Sequence, residues 1–222
     1  MSDYAAVLAT LRQARGISPF FVLDVGRPDG TWHHGTALTD GSRALPDTLD
    51  EIGARYRTTE RRVAASLFFL SYTARLLCPT VAAHVLDGAV PDVRPENLWW
   101  RYDPEQGLRV RLDEPLAGPG VVEAMTPVVD AVRRESGVAV GLLWGNAASS
   151  MAGGLRTMAR TGTASARECL EKGAELFADG PLRRAGQFLD FPDEVAFLRS
   201  SCCLYYRLDG GGTCGDCPLS PR

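Results

Sequence analysis

The sequence lacks an excess of charge of one sign. Its 24 basic and 27 acidic residues are interspersed and give a formal net charge of -3. No basic stripe of the kind that neutralises phosphates exists, so nucleic acid is not an expected partner. No leader is expected either, since Met1-Ser2-Asp3-Tyr4 has no basic region followed by an apolar run. No stretch reads as long and apolar enough to cross a bilayer. The longest greasy passage, Val63 to Leu77, contains Ser66, Ser71, Thr73 and Arg75 and reads as a buried helix. Internal repeats, low-complexity tracts and long linkers are absent, and no G-x-G-x-x-G opens a helix after a strand. Without a nicotinamide or flavin motif, any redox chemistry needs an external source of electrons.

Cysteine is scarce, at six residues, but four of the six fall within the last 21 positions. A chain of 222 residues buries enough core to fold without disulfides or metals. With no export signal the cysteines are expected to be thiols. Their crowding at one end therefore points to a metal or redox site. Cys78 and Cys169 lie apart in helical patterns and read as small buried apolar residues. His33 and His34 follow Trp32 on a short strand pattern and read as a solvent-facing pair, and His84, in an apolar helix, as a hydrogen-bonded core residue.

The pattern along the chain is mostly helical. Asp3 to Arg15 has apolar residues at helical spacing and ends at Gly16. Phe20 to Val25 and Thr31-Trp32-His33 flank Arg27-Pro28-Asp29-Gly30 and suggest a small hairpin. Pro46 to Tyr56, Thr59 to Leu77 and Pro79 to Leu86 read as three helices, with Pro79 suited to a first turn. Leu98 to Tyr102 and Leu108 to Leu112 flank Asp103-Pro104-Glu105-Gln106-Gly107 as a second hairpin. Helix is expected again over 121–135, 138–160 and 165–177, and the pattern turns irregular beyond Gly180-Pro181. The expected fold class is α+β: a predominantly helical domain over 1–180 with one or two small hairpins, and a cluster-binding segment over 181–222 packed on it.

The tail carries Cys202, Cys203, Cys214 and Cys217 as C-C-x10-C-x2-C, with Gly210-Gly211-Gly212 in the intervening loop. Two residues between cysteines let both sulfurs turn toward one centre, and the glycines let the loop fold back so that four thiolates gather. Structural zinc suits four thiolates, although zinc ribbons offer two CxxC knuckles and this chain offers one knuckle and one adjacent pair. A catalytic dithiol at Cys214 and Cys217 needs a following helix, and only Pro218 to Arg222 follow. Four cysteines are also the usual complement of a 2Fe–2S cluster. The spacing alone leaves zinc and iron both open.

This C-terminal pattern resembles that of the ferric siderophore reductase family (FhuF-like proteins), as do Arg75-Leu76-Leu77-Cys78-Pro79 and Leu143-Trp144-Gly145-Asn146-Ala147-Ala148-Ser149. The resemblance implies a 2Fe–2S oxidoreductase that passes one electron to a ferric siderophore, of hydroxamate type by analogy, and releases ferrous iron. It implies a ferredoxin or flavin reductase as electron donor and a cytoplasmic site, free or held peripherally at the inner face of the membrane. No catalytic residue beyond the cluster is expected. Trp99, Trp100, Arg101, Trp144, Asn146, Tyr205 and Arg207 are the candidate substrate residues, offering aromatic faces and positive charge to a bulky chelate. The alternative is a non-enzymatic binding module stapled by a structural zinc ion on the four cysteines. Because neighbouring side chains in extended chain point apart, Cys202 and Cys203 are expected on different irons.

Overall fold

A computed structural model describes residues 3–220. Met1 and Ser2, part of the segment read for a leader, lie outside it, as do Pro221 and Arg222. In chain order the elements are α1 (Asp3–Ala14), β1 (Asp24–Val25), β2 (His33–His34), α2 (Ala44–Arg55), α3 (Arg61–Asp87), β3 (Leu98–Asp103) and β4 (Gly107–Leu112). There follow α4 (Val121–Ser136), α5 (Val140–Thr161), α6 (Ala166–Phe177), β5 (Gly186–Leu189) and β6 (Ala196–Arg199). Short 3-10 turns join several of them. The described residues thus form a predominantly helical α+β fold with two small sheets.

α3 is the axis of the molecule. A helix apolar on all sides must be buried on all sides, and α3 packs against each of the other five α-helices and against β4. By length and hydropathy it would pass for a membrane span, yet 72% of its most apolar window is buried inside the protein. It also corrects the expectation of two helices divided at Pro79. The helix runs unbroken through that proline, which is itself buried. Interior proline costs about 3 kcal/mol, and burial of large side chains before and after it, among them Phe68, Phe69, Tyr72, Leu76 and Val81, outweighs that cost. The Thr80 hydroxyl donates to the Leu76 carbonyl at 2.8 Å in the same turn.

The first sheet has strand order β1-β4-β3-β2. β3 and β4 form the hairpin that the Asp103 to Gly107 turn signals, with Leu98 opposite Leu112 and Asp103 opposite Gly107. The hairpin expected over residues 20–33 is not made. β1 pairs in parallel with β4, while β2 pairs with β3 at the opposite edge. Two-residue strands have little to gain from each other, whereas each finds a partner already fixed in the longer hairpin.

The segment beyond Gly180 holds a hairpin that its irregular pattern conceals, β5 against β6 with Phe188 opposite Phe197. Phe177 of α6, Phe188 and Phe197 meet edge to face, with ring centroids 5.0–5.4 Å apart, and fasten the hairpin to α6. Alternation along this strand buries Val195, Phe197 and Arg199 and turns Ala196 and Leu198 outward. An arginine is thereby delivered to the core immediately before the cysteine tail.

Candidate iron–sulfur site

The adjacent cysteines leave β6 in a tight turn. Leu204 sits at φ 65°, a left-handed conformation that few non-glycine residues adopt and that marks a site held by its surroundings. That turn aims the Leu204 N–H at Cys202 Sγ, 3.3 Å away. In the knuckle the Leu219 N–H donates to Cys217 Sγ at 3.4 Å. Two of the four sulfurs thus accept an amide from the residue two positions on, and the Tyr205 and Asp216 amides favour the thiolate at Cys203 and Cys214. Donors aimed at sulfur favour the thiolate form that metal ligation requires.

Glycine closes the loop between the two halves. Gly210 has φ +73°, and a Cβ on Gly211 would stand 2.2 Å from the Tyr205 carbonyl oxygen, so neither position suits another residue. The fold-back puts Cys203 and Cys214 in contact. Cys203 is pushed down to about 6, first by the hydrogen bond it accepts from Cys214, against burial, with the Tyr205 amide and Arg199 assisting. Cys214 is pushed up, chiefly because it donates that bond and is partly buried. Among the described residues no three Cys, His, Asp or Glu side chains converge on one point. A binuclear cluster spreads four thiolates over two irons and requires no single point of convergence, so a donor set of four sulfurs fits a 2Fe–2S cluster.

Positive charge lies beneath the tail. Arg199 is 1% exposed, and its guanidinium donates to Asn146 Oδ1 at 2.6 Å and to the Leu142 carbonyl at 3.3 Å. Its Nε has no partner, and no carboxylate pairs with it among the described residues. Its charge favours the thiolate at both Cys203 and Cys214. Asn146 Nδ2 donates to the carbonyl and the hydroxyl of Ser66, at 3.0 and 3.1 Å, and the Ser66 hydroxyl donates to the Cys203 carbonyl at 2.7 Å. A buried chain of hydrogen bonds thus links β6, α5, α3 and the adjacent cysteines. Gly145 makes this possible, because a Cβ there would stand 2.3 Å from Ser201 Oγ and 2.9 Å from Arg199 Nη2. On the knuckle, Arg156 of α5 binds Asp216 at 2.5 Å, and its Nε donates to the Val195 carbonyl.

The residues singled out for substrate lie in several places. Trp100 is fully buried, stacked near Phe68 and His33. Trp99 is half-buried, donates to Asp113 and lies under Arg27, and Arg101 lies over Trp32. These partners belong to the first sheet and its flanks. Trp144 and Asn146 are buried in α5, with Asn146 in the network just described. Tyr205 is exposed on the cluster loop, and Arg207 is ion-paired with Glu60 at the start of α3, 2.9 Å apart. Cys78 and Cys169 are buried, and burial raises them to about 12 and about 11. Ser66, Arg156, Arg199 and Asp216 escape the sequence reading. For Arg199 a signal exists in the Val195, Phe197, Arg199 alternation.

No curated protein matches the chain. Residues 199–219 match the family model described as the FhuF 2Fe-2S C-terminal domain, a span that takes in Arg199 and all four cysteines and agrees with the resemblance drawn from their spacing. The match covers 21 of the 222 residues, and within that segment it favours a 2Fe–2S cluster over zinc at the four cysteines.

Proposed function

We propose that this protein reduces a ferric siderophore of hydroxamate type by one electron. Cys202, Cys203, Cys214 and Cys217 hold the cluster, and residues 181–222 form the cluster segment on a helical body of 1–180. The observation that carries this reading is the set of four cysteines within a segment that matches the FhuF 2Fe–2S domain, with backbone amides donating to Cys202 and Cys217. When bound, the cluster supplies single electrons at a potential that hydrogen bonds to sulfur and exposure set within roughly -700 to +450 mV. Fe(III) is gripped by hard oxygen donors, and lowering its charge by one weakens that grip, so reduction releases the metal.

The chain's own contribution is electrostatic and geometric. Arg199 and the backbone amides at the tail offset the negative charge of the thiolates, and Ser66 and Asn146 hold the adjacent pair in place. Cys202 and Cys203, whose side chains point apart in extended chain, would bind different irons. A ferredoxin or flavin reductase in the cytoplasm recharges the protein.

Anaerobically purified protein should contain iron and sulfide in equal amounts and little zinc. Once chemically reduced, it should be reoxidised by ferric hydroxamates, with Fe(II) appearing in a ferrous-specific chelator. Cys78→Ala and Cys169→Ala should keep the visible absorption and Cys214→Ala should lose it. A reduced protein that stays reduced under a range of ferric siderophores would sink the reductase assignment.

A further inference from the structure

Two cavities flank the Cys214-Gly215-Asp216 knuckle. One, of about 340 Å³, has Phe20, Leu70 and Ala74 on one side and Ser149, Gly153 and Thr157 of α5 on the other, and it reaches Arg199 and Cys214. The other, of about 550 Å³, lies between α5 and the β5–β6 hairpin, with Leu189, Val195 and Phe197 on its wall, and reaches Gly215. Arg156 and Arg160, one turn apart on α5, line both, with Asp216 on the first and Asp193 and Glu194 on the second. The two spaces adjoin at these arginines, Arg156 being held by Asp216, and we treat them as one groove with two lobes.

Of the four cysteines, Cys214 lines this groove, whereas Cys203 and Cys217 are buried. Gly215 keeps the approach open, because a Cβ there would meet nothing closer than Arg156 Nη1 at 4.0 Å. Polar groups without protein partners belong to the same wall. Arg199, buried, leaves Nε unpaired, and Ser149 leaves Oγ unpaired. Arg160 is exposed and in no ion pair among the described residues.

We propose that this groove binds the ferric chelate across the knuckle and that the electron leaves through Cys214. The inference rests on the reductase reading above. Apolar linkers of the chelate lie against Phe20 and Leu70 in one lobe and Leu189 and Phe197 in the other. The oxygen donors around the iron accept hydrogen bonds from Arg160, which is in no ion pair among the described residues and lies beside the Arg156–Asp216 pair. One electron passes from the reduced cluster to Fe(III), giving Fe(II) and the oxidised cluster. No bond forms between protein and chelate, and no proton is exchanged with the protein.

Gly153 provides the test. It lines the first lobe, and a Cβ there meets nothing within 4 Å, so Gly153→Phe has room for its Cβ and sends its ring toward the lobe. Equilibrium dialysis of holoprotein against a gallium(III) trihydroxamate, which has the shape of the ferric chelate and cannot be reduced, should show binding that Gly153→Phe and Arg160→Glu each weaken at least tenfold. In stopped flow, the rate of reoxidation by the ferric trihydroxamate divided by that with a small hexaammine oxidant should fall at least tenfold in the same variants. Native binding and native rate ratios in both variants, with the native protein still reducing the chelate, would place the substrate elsewhere and leave the reductase reading intact. Failure of the native protein to reduce any ferric chelate would overturn the reading itself. Should Gly153→Phe fail to assemble its cluster, Arg160→Glu on the exposed face decides alone.

Discussion

Burying a guanidinium costs several kcal/mol unless negative charge or acceptors surround it, and Arg199 is buried with two acceptors and no carboxylate. The thiolates beside it are the groups that offset its charge, which gives the residue a reason to stand next to the motif. Asn146 is the hinge of this arrangement, accepting from Arg199 and donating to Ser66. Replacing it by Leu keeps the volume but strips a partner from a charged group and from two Ser66 oxygens. A loss of about 2–3 kcal/mol in stability is expected from chemical denaturation, since orphaned buried groups cost that much. Affinity for the gallium trihydroxamate should change little, because Asn146 is fully buried and outside the groove. A selective loss of affinity at unchanged stability would instead make Asn146 a substrate contact. In the sequence Asn146 is a polar residue in an apolar helix, which suggests a pocket. Its partners on Ser66 and Arg199 lie 80 and 53 residues away, and no local pattern reports such distances.

At the scale of elements, the contact between α3 and α5 is set by small residues. A Cβ on Gly154 would stand 2.7 Å from Val81 Cγ2 and 3.3 Å from Cys78 Cα, whereas one on Gly153 would meet nothing. Both are interior helix positions, where glycine costs about 1 kcal/mol relative to alanine. Gly153→Ala should therefore raise the free energy of unfolding by about 1 kcal/mol in chemical denaturation. Gly154→Ala should lower stability by about 1–3 kcal/mol, because overpacking defeats the propensity gain. Equal effects from the two substitutions would mean that α3 and α5 are not packed as closely as this. The helices are legible because their apolar spacing extends over three turns or more, and so is the β3–β4 hairpin with its Asp-Pro and Gly turn. The division at Pro79 and the first hairpin mislead for one physical reason. Proline and turn residues state local preferences, and the burial of α3 and the prior pairing of β3 with β4 outweigh them. The β5–β6 hairpin is hidden by short strands in a stretch rich in Gly, Asp and Pro, where the deciding contact is the aromatic cluster with Phe177.

For the molecule as a whole, the cluster segment and the helical body share their interior. The adjacent cysteines hang on α3 through Ser66, the knuckle hangs on α5 through Arg156 and Asp216, and β6 passes Arg199 beneath both. A group that binds the folded chain and not the unfolded one stabilises it by mass action. Binding at this tail is transmitted to the core through the same hydrogen bonds. The large apolar core around α3 is complete without iron, however, and includes none of the four cysteines. Removing iron anaerobically with a chelator should therefore leave the far-ultraviolet circular dichroism near its holoprotein value at ambient temperature and lower the midpoint of thermal unfolding. Asn146→Leu, which removes the Arg199 acceptor on α5 and loosens one of these links, should shrink the difference between holo and apo midpoints. Loss of helical signal on iron removal would show that the core depends on the cluster. An unchanged midpoint would show that the tail is merely tethered to the body and that the Ser66, Asn146 and Arg199 chain does not couple them.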